Sequence, residues 1–287
     1  MFRPSLLALL AGLAFLPQPV SSAGAPQQVD LKLVLAVDVS GSIDNDEVQL
    51  EREGTADAFM DPEVVRAIQN GSLGRIAVAM IDFSSQPYNK IVADWHIIHD
   101  RQTAVQFSDL VRKLPRSVGH RTSISSAFQL GTLMLESSDK DITAGRKVID
   151  VSGDGPNNWG DHLQPVHDRT VANGIVINGL PVMDEQANGY FPDLDKYYAA
   201  CVAGGRGAFV VVVRSYRDYA AGMRRKLVLE ISQNETPTRE AALPQAKLIR
   251  VAAPGGPNAG PPVLRPGPNQ FSNQCDQTTG PFSFGNF

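Results

Sequence analysis

The feature that most narrows the fold is a run of seven residues, 31–37 (Leu-Lys-Leu-Val-Leu-Ala-Val), which ends against Asp38-Val39-Ser40-Gly41-Ser42. A short apolar, β-branched run predicts a strand buried inside an α/β sheet. Comparable runs follow at 75–83, 146–152, 175–180 and 208–213. Segments with helical character lie between and after them, at 44–60, 100–114, 123–136, 161–173, 194–202 and 216–231. Asp44 with Glu47 three residues on marks one helix start, and Gly174 marks a helix end. Alternating strands and helices predict an α/β fold in three layers, a doubly wound, mostly parallel sheet covered on both faces. Residues 88–95 predict one antiparallel edge strand. In such open sheets ligands bind beyond the carboxyl ends of the strands, which is where residues 38–42 fall.

One carboxylate and two small hydroxyls, each two residues apart, offer oxygen ligands to a hard cation, Mg²⁺ before Ca²⁺. Two more segments carry matching chemistry. Gly119-His-Arg-Thr122-Ser-Ile-Ser-Ser-Ala-Phe128 puts a hydroxyl in a loop opening a helix, and Lys147-Val-Ile-Asp-Val-Ser-Gly153-Asp154-Gly155 puts a carboxylate at the end of an apolar run. In combination the three segments resemble the metal-ion-dependent adhesion site of von Willebrand factor A-like domains. That family carries Asp-x-Ser-x-Ser after its first strand, a Thr in a second loop and an Asp in a third. The resemblance spans residues 30–232 and implies Asp38, Ser40, Ser42, Thr122 and Asp154 as metal ligands. Gly153 departs from it, since many members carry Thr there.

The resemblance further implies a binding module rather than an enzyme. Mg²⁺, with Mn²⁺ or Ca²⁺ as alternatives, would take up an Asp or Glu carboxylate from a protein partner. The N-terminus of the helix starting near Ser123 would favour an anion at the same place. Ser84, His120, Asn157 and Trp159 stand in loops on the same face and are candidates for a partner-binding rim. With its leader and Cys-containing tail, the chain resembles a group of exported bacterial von Willebrand factor A-like proteins.

Residues 1–25 read as a secretory signal peptide, with Arg3 ahead of an apolar stretch and Ala23-Gly24-Ala25 as a cleavage site. That stretch is shorter than the ~20 residues of a membrane-spanning helix. The expectation is an exported protein, periplasmic or secreted, with no membrane span. A formal charge of −4 gives no electrostatic footprint for nucleic acid. Cys201 and Cys275 are the two cysteines, and an oxidising compartment favours a disulfide between them; a buried free Cys201 is the other reading. Residues 233–287 read as a tail, because residues 254–287 hold 7 Pro and 6 Gly in 34 positions, a composition that does not order itself.

Blander and rival readings exist. Asp38, Ser40 and Thr122 could cap helices, and Asp154-Gly155 could form a turn. A Mg²⁺-dependent phosphatase of the haloacid-dehalogenase type also places an Asp after its first strand, but it needs a second Asp where Ser40 stands. Five histidines are present, yet no Gly-x-Ser-x-Gly elbow accompanies them. A structural domain with a silent metal site is a third reading. Asp150 is anomalous, a carboxylate in mid-strand that needs a partner, with Arg146, Lys147 or a loop amide as candidates.

Overall fold

The computed structural model describes residues 25–115, 117, 119–185, 191–232, 246–251 and 275. All but the last residue of the expected signal peptide, and most of the expected tail, lie outside these residues.

The described strands are β1 (Gln27–Asp38), β2 (Ile76–Phe83), β3 (Lys90–Ile98), β4 (Ile142–Gly153), β5 (Ile175–Pro181), β6 (Phe209–Val213) and β7 (Ala246–Arg250). They form one sheet in the order β3-β2-β1-β4-β5-β6-β7. Strands β2, β1, β4, β5 and β6 run parallel, and β3 is the expected antiparallel edge strand. A second antiparallel strand, β7, closes the other edge against β6.

Helices α1 (Asn45–Met60), α2 (Pro62–Gln69), α3 (Arg101–Lys113) and α7 (Tyr219–Ile231) cover one face of the sheet; α4 (Ile124–Ser137), α5 (Leu163–Ala172) and the short α6 (Leu194–Tyr197) cover the other. This is the three-layer, doubly wound arrangement that the alternation predicts.

Alternation along β1 divides the two cores. Leu31, Leu33, Leu35 and Val37 pack under α1 and α7, while Val34 and Ala36 pack under α4 and α5. Lys32 falls on the second face and is buried, its Nζ donating to the Leu135 carbonyl at 2.6 Å and to Asp139 at 2.8 Å. The capping box of α1 is present: Asp44 accepts from the amides of Asp46 and Glu47, and Glu47 accepts from the Asp44 amide. Helix α2 was not expected, although Asp61 caps it and Pro62 opens it.

The partner of Asp150 is none of the three expected. It pairs with Lys226 of α7, both side chains being almost wholly buried. Glu230, one helical turn on, accepts from Asn178 of β5 at 2.8 Å. Burial raises the Glu230 carboxyl well above the ordinary range, helped by the charge of Asp150. A buried ionic cluster thus fixes α7 to the sheet.

This connectivity decides where a ligand can sit. From β1 the chain goes out through α1 and α2 to β2, and it returns through α3 and α4 to β4 on the opposite side of β1. Between β1 and β4 the crossovers diverge, leaving a crevice at their carboxyl ends. Asp38 ends β1, and Asp154 follows β4.

Candidate metal centre

Three loops converge at this crevice and bring the five sequence-predicted ligands together. Asp38 accepts from the Ser40 amide at 2.8 Å, which folds the loop back over the strand end. The Ser40 and Ser42 hydroxyls lie 3.2 Å apart. Ser42 donates to Asp154 Oδ1 at 2.9 Å, across 112 residues of sequence. Thr122 donates to Ser40 Oγ at 3.1 Å. The three hydroxyls and the Asp154 carboxylate are thus linked in a continuous chain of oxygen contacts, and Asp38 anchors its first loop.

The loops are tied to one another by backbone. The Gly41 amide donates to the His120 carbonyl at 3.0 Å, and the amides of Asn158 and Trp159 donate to the Thr122 carbonyl at 3.0 and 3.1 Å. Asn158 accepts in return from the Thr122 amide at 3.0 Å. Gly119 is required by close approach: a Cβ there would stand 2.2 Å from Ser84 Oγ and 2.6 Å from the Val39 carbonyl. Helix α4 begins just beyond Thr122, with Ser123 accepting from the Ser126 amide and Asn157 from the Ser125 amide. Its positive end faces the site.

The electrostatics are those of deeply buried acids. Asp38 is wholly buried, and both Asp38 Oδ2 and Asp154 Oδ2 are buried without a hydrogen-bond partner among the described residues. Burial pushes the Asp38 carboxyl far above its ordinary range, and the Asp154 charge pushes it further. Asp154 is raised to about 6, by burial first and then by the charge of Glu47. Buried carboxylates without a cation repel one another and pay for lost hydration. Glu51 of α1 is also buried, with neither oxygen bonded among the described residues, and its carboxyl is raised by burial against the pull of Arg52.

Two carboxylates and three hydroxyls fit a hard divalent cation. Among the described residues no group of three or more His, Cys, Asp or Glu is placed to share an ion.

The four rim candidates separate into two pairs. Trp159 is 46% exposed, and Arg121 stacks over its ring at 5.1 Å. His120 is exposed and meets Tyr88 edge-on, ring centres 4.9 Å apart. Ser84 and Asn157, by contrast, are buried. Ser84 Oγ donates to the Arg121 carbonyl and accepts from the His120 amide, while the Asn157 amide donates to the Tyr197 hydroxyl. Their polar atoms are consumed in bracing the loops.

Gly153, the departure from the family pattern, has a physical reason. A Cβ at this position would lie 2.9 Å from Asp38 Cβ and 3.1 Å from the hydroxyl of Tyr198. Tyr198 escaped the sequence reading, although a signal was present. Gly153 and Gly179 interrupt two apolar strands, and glycine inside a strand marks the close approach of another group.

The geometry can be set beside known proteins. A family model described as "Protein of unknown function (DUF1194)" matches residues 28–235. A search of curated proteins found no match. Among solved structures, the pilus adhesin SpaC from Lactobacillus rhamnosus GG is similar at 15% identity and a TM-score of 0.53, over 74% of this chain and 32% of that one. Proximal thread matrix protein 1 from the mussel byssus, with a zinc-occupied MIDAS motif, is similar at 16% identity and a TM-score of 0.50, over 73% of this chain and 49% of that one. A von Willebrand factor type A structure from Catenulispora acidiphila matches 71% of this chain and 43% of that one, at 13% identity and a TM-score of 0.48. The chain therefore spans a third to a half of the solved chains it matches first, and at these identities the likeness is one of fold.

Proposed function

The chain belongs to the family described as DUF1194, and from that premise we propose that it is a metal-dependent, adhesion-type protein-binding module rather than an enzyme. Asp38, Ser40, Ser42, Thr122 and Asp154 hold one divalent cation, with Mg²⁺ the first choice and Mn²⁺ or Ca²⁺ the alternatives. When bound, the ion supplies a positive centre with a coordination position facing solvent, where an Asp or Glu carboxylate of a partner protein is captured. The observation that carries this reading is the pair of buried oxygens, Asp38 Oδ2 and Asp154 Oδ2, that have no partner among the described residues, in a cluster whose hydroxyls are hydrogen-bonded. The MIDAS motif of the mussel protein, zinc-occupied in its own structure, supports the reading by analogy of fold.

Each residue has a distinct task. Asp38 and Asp154 supply the negative charge, while the three hydroxyls bind without adding any, so the ion keeps charge for an incoming anion. Trp159 with the stacked Arg121, and His120, border the site and supply contacts to the flanks of the partner peptide. The disulfide between Cys201 and Cys275 supports an oxidising, exported location. Among the described residues no helix is long and apolar enough to cross a membrane.

Water-proton relaxation of the Mn²⁺-loaded protein tests the open position. Titration with acetate should lower the relaxivity as carboxylate displaces bound water, and acetamide should not. Equal responses to the two, or Mg²⁺-dependent turnover of a phosphate ester that Asp38→Asn abolishes, would overturn the module reading.

A further inference from the structure

We propose that Tyr198 is a sixth member of this site: its hydroxyl holds Asp38 Oδ2, through one bridging water, in the orientation that a bound divalent cation requires. The inference rests on the metal-site reading above and assigns it a residue on a different element, more than forty positions beyond the last of the five ligands.

The first observation is a slot cut for the ring. Tyr198 is wholly buried. A Cβ at Gly179 of β5 would lie 2.7 Å from Tyr198 Cδ1, and one at Gly153 of β4 would lie 3.1 Å from its hydroxyl. The register pairs Gly179 with Val151, so the two glycines stand two residues apart on the same face of neighbouring strands. Glycine within a strand weakens it and leaves nothing to pack. Two such positions against one ring show that the sheet surface is shaped to admit it.

The second observation concerns unsatisfied groups. A buried tyrosine hydroxyl normally has a hydrogen-bond partner. The Tyr198 hydroxyl has none among the described residues, and neither has Asp38 Oδ2. Both border the same small space, because a Cβ at Gly153 would meet Asp38 Oδ2 at 3.0 Å and the phenol oxygen at 3.1 Å. A donor and an acceptor, neither of them partnered among the described residues, thus both border the space that Gly153 leaves.

The third is how firmly the ring is held. Tyr198 opens a π-helical turn, Tyr198–Val202, a conformation frequent at functional sites. The Ala203 amide closes that turn on the Tyr198 carbonyl at 2.8 Å. Cys201, in the same turn, is disulfide-bonded to Cys275. The preceding Tyr197 accepts through its hydroxyl from the Asn157 amide at 3.1 Å. The turn is thereby fastened both to the tail and to the loop that carries Asp154. Tyr198 is a positioning residue, acting through Asp38 rather than on a ligand.

The test is calorimetric titration of the full chain with Mn²⁺, beside thermal melts in EDTA. Tyr198→Phe keeps the ring and removes only the hydroxyl. It should stay folded and melt close to wild type without metal, since the ring and its packing are kept, while Mn²⁺ affinity falls about tenfold or more. Mg²⁺ should produce a tyrosine ultraviolet difference spectrum in the wild type that this variant lacks. Gly179→Ala displaces the ring without touching Asp38 and should cost similar affinity, yet add nothing in the Tyr198→Phe background. Wild-type affinity in Tyr198→Phe, or additive losses in the double variant, would overturn the role of Tyr198 alone. A wild type that fails to bind Mn²⁺, or that binds it equally well as Asp154→Asn, would overturn the metal reading and this inference with it.

Discussion

Asp154→Asn offers a sharp stability test, because the account predicts a sign that intuition about lost contacts does not. The amide oxygen of Asn can still accept from Ser42, so the packing survives. What disappears is a buried charge. The Asp154 carboxyl, ordinarily ionising near 3.8, is raised to about 6 in the fold. At about 1.4 kcal/mol per pH unit, carrying that charge at pH 7 without a cation costs the folded state about 3 kcal/mol. The folded state binds the proton more tightly than the unfolded chain does. The associated stability is therefore complete below about pH 4 and lost as pH rises through about 6. Asp38, also raised by burial, carries the loss in the same direction. In EDTA at pH 7 the variant should be up to about 3 kcal/mol more stable than wild type, or roughly 6–12 °C higher in melting temperature for a domain of this size. The gap should close as pH falls towards 4. Mg²⁺ at about 100 times its dissociation constant should then stabilise wild type by about 2.7 kcal/mol and leave the variant unmoved. Paired thermal melts with Mg²⁺ and with EDTA, across that pH range, measure every term. A variant less stable than wild type in EDTA, or one that gains as much from Mg²⁺, would refute the reasoning.

Three further substitutions probe the frame around the site. Lys226→Met leaves Asp150 and Glu230 buried without their cation and should cost about 3–5 kcal/mol; an unchanged urea midpoint would show that the ionic cluster does not hold α7. Gly119→Ala forces a Cβ against the Val39 carbonyl and should cost about 1–3 kcal/mol, with weaker Mg²⁺ binding because the Thr122 loop must move; calorimetry that shows wild-type affinity would contradict the close-approach argument. Cys275→Ser opens a link between residues 74 apart in sequence and should cost on the order of 4 kcal/mol, read as a lower urea midpoint under non-reducing conditions, and an identical midpoint would deny the disulfide any stabilising role.

Much of this architecture is legible in the chain because it rests on local periodicity. Runs of β-branched residues identify β1, β2, β4, β5 and β6, and Asp44 with Glu47 announces the start of α1. The convergence of Asp38, Ser40, Ser42 and Asp154 was readable because they stand at or beyond the ends of β1 and β4, and Thr122 because it opens α4 in a loop on the same edge. What escaped depends on contacts distant in sequence. Strand β7 lies just ahead of the Pro- and Gly-rich segment and is held by pairing with β6. Asp150 finds Lys226 on the last helix of the domain, a pairing no local pattern encodes. Ser84 and Asn157 stand in the expected loops, but sequence does not say which way a loop side chain points, and both point inward. Helix α2 was the avoidable miss, since Asp61-Pro62 is a standard helix opening.

Anomalous diffraction from crystals grown with Mn²⁺ addresses the central claim most directly. The account predicts one strong peak in the crevice beyond β1 and β4, bounded by the side chains of Asp38, Ser40, Ser42, Thr122 and Asp154. A map with no peak there, or with its manganese bound elsewhere on the chain, would contradict it.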